Sequence, residues 1–182
     1  SDKLVYLEFE GIFRDSEIYV NGTFIGRHMS GYTGTRFEIS DVLYFDGREN
    51  VIAVRVDCTQ NEGWFYEGAG IYRNAFLDVR ERVSIAPDSV FVKPVPEFDN
   101  DKITSVRIDV SCEIVNETDI DRTVSVSFAT GGEKFITEIV VPSFGRAAAN
   151  GELNVNNPRV WDVDTPELCE MTTTAACGNL TD

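Results

Sequence analysis

Apolar and polar residues alternate along Val5/Leu7/Phe9, Ile52/Val54/Val56, Val106/Ile108/Val110/Cys112/Ile114 and Val124/Val126/Phe128. This period of two marks strands with one face buried. Apolar spacing of three and four residues is nowhere sustained, so the pattern predicts an all-β chain. Asn21-Gly22 lies between Ile18-Tyr19-Val20 and Thr23-Phe24-Ile25. Both residue types accept positive φ, which predicts a type I′ hairpin. Gly131-Gly132, between Phe128 and Phe135-Ile136, predicts a second hairpin, and Asp46-Gly47 a turn before the strand at 50–57.

Near residue 86 an aromatic and glycine-dense texture gives way to a Val/Thr/Ser-rich one, across Ala86-Pro87-Asp88. Short Pro-containing segments of this kind suit linkers, so two domains are expected, at 1–86 and 87–182. About seven short strands in the second have the size and rhythm of an immunoglobulin-like sandwich. The first reads as a jelly-roll-like β-sandwich whose opening strands are missing, because a strand begins at Leu4 with nothing before it. An unpaired sheet edge is then expected, and with it a homodimer.

Composition removes several classes of function. Asp and Glu number 31 against 16 Lys and Arg, a formal net charge of -15, which repels a phosphate backbone and excludes nucleic acid as a partner. No apolar run approaches the ~18 residues a membrane helix needs, so no membrane partner is expected. Hydrophobic residues at 42% support a packed core. Cys58, Cys112, Cys169 and Cys177 have no paired CxxC spacing, and His28 is the single histidine; no metal site and no cofactor is expected. The thiols read as buried and reduced, which favours a cytoplasmic protein, although a bridge from Cys112 to Cys169 or Cys177 would match an antibody-type sandwich.

Three phrases carry a more specific message: YLEFEGIFRDSEIYVNGTFIGRHMSGYTGTRFEISDVL (Tyr6 to Leu43), ENVIAVRVD (Glu49 to Asp57) and EGWFYEGAGIYRNAFLDV (Glu62 to Val79). In order and spacing they resemble the sugar-binding domain of glycoside hydrolase family 2, which holds β-galactosidases, β-glucuronidases and β-mannosidases. NPRVWDVDTPELCEMTTT (Asn157 to Thr174) is similar to the end of that family's immunoglobulin-like second domain, with its Trp161-Asp162 pair. Thr35, Asn74-Ala75 and Cys169 depart from the family's commoner residues, which bears on the subfamily and not on the fold.

The resemblance implies a galactose-binding-like sandwich, an immunoglobulin-like sandwich, and a parent enzyme that cleaves terminal β-linked sugars with retention. Retaining enzymes use two carboxyl groups about 5–5.5 Å apart, and in this family both sit on a barrel that follows these domains. No catalytic residue is therefore expected here, and the absent barrel and, through the parent, carbohydrate are the implied partners. The Asn-Glu order of the family's acid/base occurs at Asn61-Glu62 and Asn116-Glu117. The latter reads as a solvated turn after a strand. In relatives the loop holding Asn61 and Glu62 reaches the rim of the sugar pocket, so both are candidate substrate-binding residues. Trp64 and Tyr66 offer apolar faces to a pyranose ring, or else fill an interface. Gly68, Gly70, Arg73 and Trp161 read as structural: the glycines permit a tight backbone path, and the guanidinium suits a buried carboxylate or carbonyls. A free-standing carbohydrate-binding or structural β-sandwich module is the alternative reading.

Overall fold

The computed structural model describes residues 3–59, 68–178 and 180–181. They form two compact units, Ser1–Arg80 and Glu81–Asp182. Strands dominate, and the described residues contain a single 3₁₀ turn, Ser40–Val42, and no α-helix.

In the first unit the strands are β1 (Lys3–Phe9), β2 (Ile12–Phe13), β3 (Ser16–Val20), β4 (Thr23–His28), β5 (Thr35–Glu38), β6 (Ile52–Val56), β7 (Gly70–Ile71) and β8 (Ala75–Glu81). Two three-stranded sheets, ordered β5-β1-β8 and β4-β3-β6, face each other, with the short β2-β7 ladder beside them. Val5, Leu7 and Phe9 of β1 meet Ile18 and Val20 of β3, together with Ile12 and Ile39. The alternation read from the sequence thus selects which face turns inward, and burying each such side chain contributes about 1.5–3 kcal/mol. At the first hairpin Asn21 and Gly22 have φ of 51° and 81°. The Asn21 amide then donates to Val42 O and Asn50 Oδ1, both at 2.8 Å, while its Oδ1 accepts from Val51 N at 2.9 Å. One turn residue therefore anchors three segments.

The second unit holds β9 (Val83–Ile85), β10 (Phe91–Asp99), β11 (Lys102–Asn116), β12 (Arg122–Thr130), β13 (Glu133–Val141), β14 (Gly145–Asn156), β15 (Thr172–Cys177) and β16 (Leu180–Thr181). One sheet runs β10-β11-β14 with β9 also on β11, and the other β13-β12-β15-β16. Val110, Cys112 and Ile114 pack against Val124, Val126 and Phe128 between them. Pro94 and Pro96 sit in β10, an edge strand, where a missing N–H costs no ladder bond. The second hairpin turns through Gly131 and Gly132, φ 59° and 87°, and pairs Thr130 with Glu133.

Two details depart from the sequence reading. Ile85 and Val83 pair with Ile114 and Asn116, and Ala86 N donates to Glu113 O at 2.8 Å, so residues 83–86 join the β10-β11-β14 sheet of the second unit. Backbone pairing begins before side-chain texture changes. The four cysteines are free thiols, and Cys112 is buried in the core while Cys169 is exposed, so no bridge links them. Burial pushes the Cys112 thiol up to about 11.

Candidate functional site

The β2-β7 ladder borders a recess. Phe13 pairs with Gly70, whose φ of +99° only glycine adopts readily. Around this pair lies a cavity of about 410 Å³ walled by Phe13, Tyr32 and Tyr72, with the backbone of Gly68-Ala69-Gly70 and Arg73 completing it. Phe13 is 7% exposed, whereas Tyr32 and Tyr72 are 60% and 52% exposed. Phe13 and Tyr32 meet edge to face, centroids 5.6 Å apart at 77°. The Tyr72 hydroxyl donates to Gly31 O at 2.8 Å and its N–H to Gly11 O at 3.3 Å. Arg73 Cζ lies 5.9 Å from the Tyr72 ring centroid.

Small residues make room for these rings. A Cβ on Gly31 would meet Phe13 Cδ2 at 2.4 Å, and one on Gly11 the Tyr72 ring at 2.7 Å. Phe13 and Tyr72 thereby pack against bare backbone. Rigid rings beside a guanidinium and backbone polar groups suit a ligand that is apolar on one face and hydroxylated at its edge.

Beside the recess the chain carries a charged surface network. Asp15 takes a bidentate bond from Arg27, at 2.5 and 2.6 Å, which holds its carboxyl below the ordinary 3.8. Glu17 is lowered by the Tyr19 hydroxyl at 2.9 Å and by Arg55 at 3.2 Å. His28 closes β4, its Nε2 3.0 Å from Thr33 O and 3.1 Å from Thr33 Oγ1. Among the described residues no cluster of three His, Cys, Asp or Glu side chains is arranged to hold a metal.

Asn61, Glu62, Trp64 and Tyr66 lie outside the described residues. Gly68, Gly70 and Arg73 line the recess together, where Arg73 is exposed and lies over the Tyr72 ring. Phe13, Tyr32 and Tyr72 were not singled out from the sequence; the available signal was the glycine beside each ring, at 11 and 31. Trp161 stands in the second unit, 56% exposed. Asn116 is not in a solvated turn: it is fully buried, donating to Ile120 O, Val141 O and Pro142 O, while neighbouring Glu117 is exposed.

The chain is 30% identical over 189 residues to a β-galactosidase of Thermoanaerobacter pseudethanolicus, covering 91% of this chain and 23% of the relative. To the β-galactosidase BoGH2A of Bacteroides ovatus it is 29% identical over 179 residues, 94% of this chain and 20% of the relative. A solved glycosyl hydrolase family 2 member from Bacteroides cellulosilyticus superposes over 100% of this chain and 25% of its own, with a TM-score of 0.89 at 23% identity. Its homologues are glycoside hydrolase family 2 enzymes. A β-glucuronidase structure of that family shares the fold too, with a TM-score of 0.85 at 23% identity over 99% of this chain and 21% of its own. No family profile matches the chain. It spans about a fifth to a quarter of the length of the curated family 2 relatives it matches. The two β-sandwiches thus share the fold of family 2 domain structures, and the described residues lack the helices a (β/α)₈ barrel requires.

Proposed function

We propose that the chain is the non-catalytic, barrel-supporting region of a β-galactosidase-like retaining glycosidase that hydrolyses terminal β-linked sugars. The observation that carries this is the pattern of coverage: 91–100% of this chain against 20–26% of three β-galactosidases, at 27–30% identity. The matched segment is a small part of much longer enzymes, and its described residues are strands without the helices of a (β/α)₈ barrel, which supports a role beside the chemistry and not in it. β-Glucuronidase of Formosa agariphila is 25% identical over 202 residues, so the sugar is a galactoside or glucuronide.

The loop of Asn61, Glu62, Trp64 and Tyr66, which precedes the aromatic recess, contributes to the rim of the sugar pocket. Asn61 and Glu62 bond hydroxyls there and the aromatic rings cover the pyranose face. Gly68 and Gly70 set the backbone path out of that loop. Two copies would pair along β8, an edge strand whose Phe76, Leu77 and Val79 are exposed.

The test is to express the gene beyond Asp182 and assay nitrophenyl β-galactoside and β-glucuronide, with the 182-residue chain as control. Cleavage by the longer protein alone, with KM raised and kcat little changed in Asn61→Ala or Glu62→Ala, supports the reading. Hydrolysis by the 182-residue chain, or inactivity of the longer protein on every β-glycoside, overturns it.

A further inference from the structure

Strands β13 and β14 of the second unit each lie at the edge of a sheet, and their outward faces are built differently. Ala149 and Leu153 of β14 belong to the core, so the alternation turns Asn150, Glu152, Asn154 and Asn156 away from it. On β13, where Ile139 and Val141 turn inward, the outward residues are Lys134, Ile136, Glu138 and Val140. Ile136 and Val140 are ordinary strand formers, and Thr172 and Thr174 of β15 extend the same face through β12. Asn is depleted in strands, yet β14 places it at three of these four outward positions. Protection of an edge against stray pairing does not account for this, because β13 is an edge as well and goes without it. A departure from local preference that the fold does not require marks a functional surface.

Neighbouring strands complete a flat face. Asn150, Glu152, Asn154 and Asn156 pair with Ser111, Asp109, Arg107 and Ser105 of β11. Ser111 pairs in turn with Phe91 of β10, which is 65% exposed. Rows two residues apart are spaced by ~6.8 Å, so the four rows run for about 20 Å. The charged members answer each other: Arg107 Nε lies 3.3 Å from Asp109 Oδ1 and 4.0 Å from Glu152 Oε2, and the Ser105 hydroxyl donates to Glu97 Oε2 at 2.6 Å. The three amides do not. All are exposed, and among the described residues none of them has a side-chain hydrogen bond to protein. Each amide offers two donors and an acceptor, and a hydroxyl both donates and accepts, so a row of amides matches a ligand that carries many hydroxyls. Lys93 and Arg107 stand against Glu97, Asp109 and Glu152 on this face, two cations against three carboxylates and a balance of -1, on a chain of -15. Such a face selects neither a polyanion nor a polycation. Phe91, beside the short Ser111, adds an apolar ring suited to the C–H face of a pyranose.

We propose that the outward face of the β10-β11-β14 sheet binds a neutral, extended glycan, with Asn150, Asn154 and Asn156 bonding its hydroxyls and Phe91 carrying one sugar ring. The site belongs to the second unit alone and takes part in no reaction. In the proposed parent it holds polymeric substrate close by and raises its local concentration; that consequence, unlike the binding itself, rests on the proposed function.

Isothermal titration of the 182-residue chain with soluble galactan, xyloglucan and glucomannan tests the face, with polygalacturonate as the charged comparison. At least one neutral polymer should bind. Asn154→Thr/Asn156→Thr and Phe91→Ala should each weaken that binding at least about tenfold, while Thr174→Ala on the opposite sheet leaves it unchanged. Threonine is the better strand former, so the double Thr variant should hold or raise the urea midpoint. Loss of binding together with a lowered midpoint makes the amides structural and overturns the proposal. Failure of every neutral polymer to bind overturns it too, as does tighter binding of polygalacturonate. Binding that survives the double Thr variant and disappears in Tyr72→Ala places the glycan at the recess of the first unit, and the proposal falls. Assays of the parent with a polymer and with a nitrophenyl glycoside separate the two readings: a parent inactive on both refutes the function and leaves the glycan face standing.

Discussion

The ring of Tyr72 occupies the space a side chain on Gly11 would need: a Cβ there would meet Tyr72 Cζ at 2.7 Å and its hydroxyl oxygen at 2.9 Å. Gly11 O also accepts the Tyr72 N–H at 3.3 Å, so the ring is held against bare backbone. Gly11→Ala should displace Tyr72 and break its bond to Gly31, costing about 1–3 kcal/mol as overpacking does. Urea unfolding and the near-ultraviolet circular dichroism of the tyrosines read this. Unchanged spectra with unchanged stability would show that the recess is not preorganised.

Asn116 closes β11 from inside the second unit. Its amide donates to three carbonyls at 2.8–3.2 Å, and its Oδ1 accepts from Thr118 N at 3.0 Å and Thr118 Oγ1 at 2.7 Å. Asn116→Leu leaves those carbonyls without a donor and should destabilise by at least about 1–3 kcal/mol. Asn116→Asp should be worse near neutral pH, since a carboxylate would face the same carbonyls. Equal urea midpoints for wild type and both variants would contradict this account.

Phe128 fills the second core, fully buried, and Gly151 lets its ring and that of Phe135 approach: a Cβ at 151 would lie 2.8 and 2.7 Å from them. Phe128→Ala should cost about 3–5 kcal/mol. Chemical denaturation followed by Trp161 fluorescence checks it.

The Asp15 carboxyl, bonded by Arg27, titrates below its ordinary 3.8. A depressed folded value adds stability that is present above the unfolded value and is lost as pH falls through the folded one. Asp15→Asn should therefore lower the urea midpoint at pH 7, with the difference from wild type shrinking below about pH 4. A difference that persists undiminished at pH 2 would assign the effect to packing.

Thiol chemistry separates Cys112 from Cys169. Burial raises the Cys112 thiol to about 11, and Cys169 is exposed. A maleimide at pH 7.5 should label Cys169 in the native chain and Cys112 only after unfolding. Mass spectrometry of tryptic peptides reports the order, and early labelling at Cys112 would show that the core opens.

Strands, hairpins and family were legible from the chain because each rests on neighbours in sequence. Val5/Leu7/Phe9 and Val124/Val126/Phe128 declare a buried face by alternation alone, and Asn21-Gly22 declares a turn by its tolerance of positive φ. The recess was half legible. Gly68, Gly70 and Arg73 lie within six residues of one another, whereas Phe13 and Tyr32 arrive from 36 to 60 residues away and carry no local mark of their meeting.

Sequence by itself determined the all-β class, the turn positions, the acidic surface and the kinship, since periodicity, glycine and charge act at short range or sum over the whole chain. Tertiary structure alone decided that Asn116 is buried, that residues 81–86 belong to the second unit, that Arg73 faces a ring, and that Trp161 and Leu168 stand outward. Each of these depends on which distant backbone atoms supply a hydrogen bond or which surface is left uncovered, and no spacing along a chain records that.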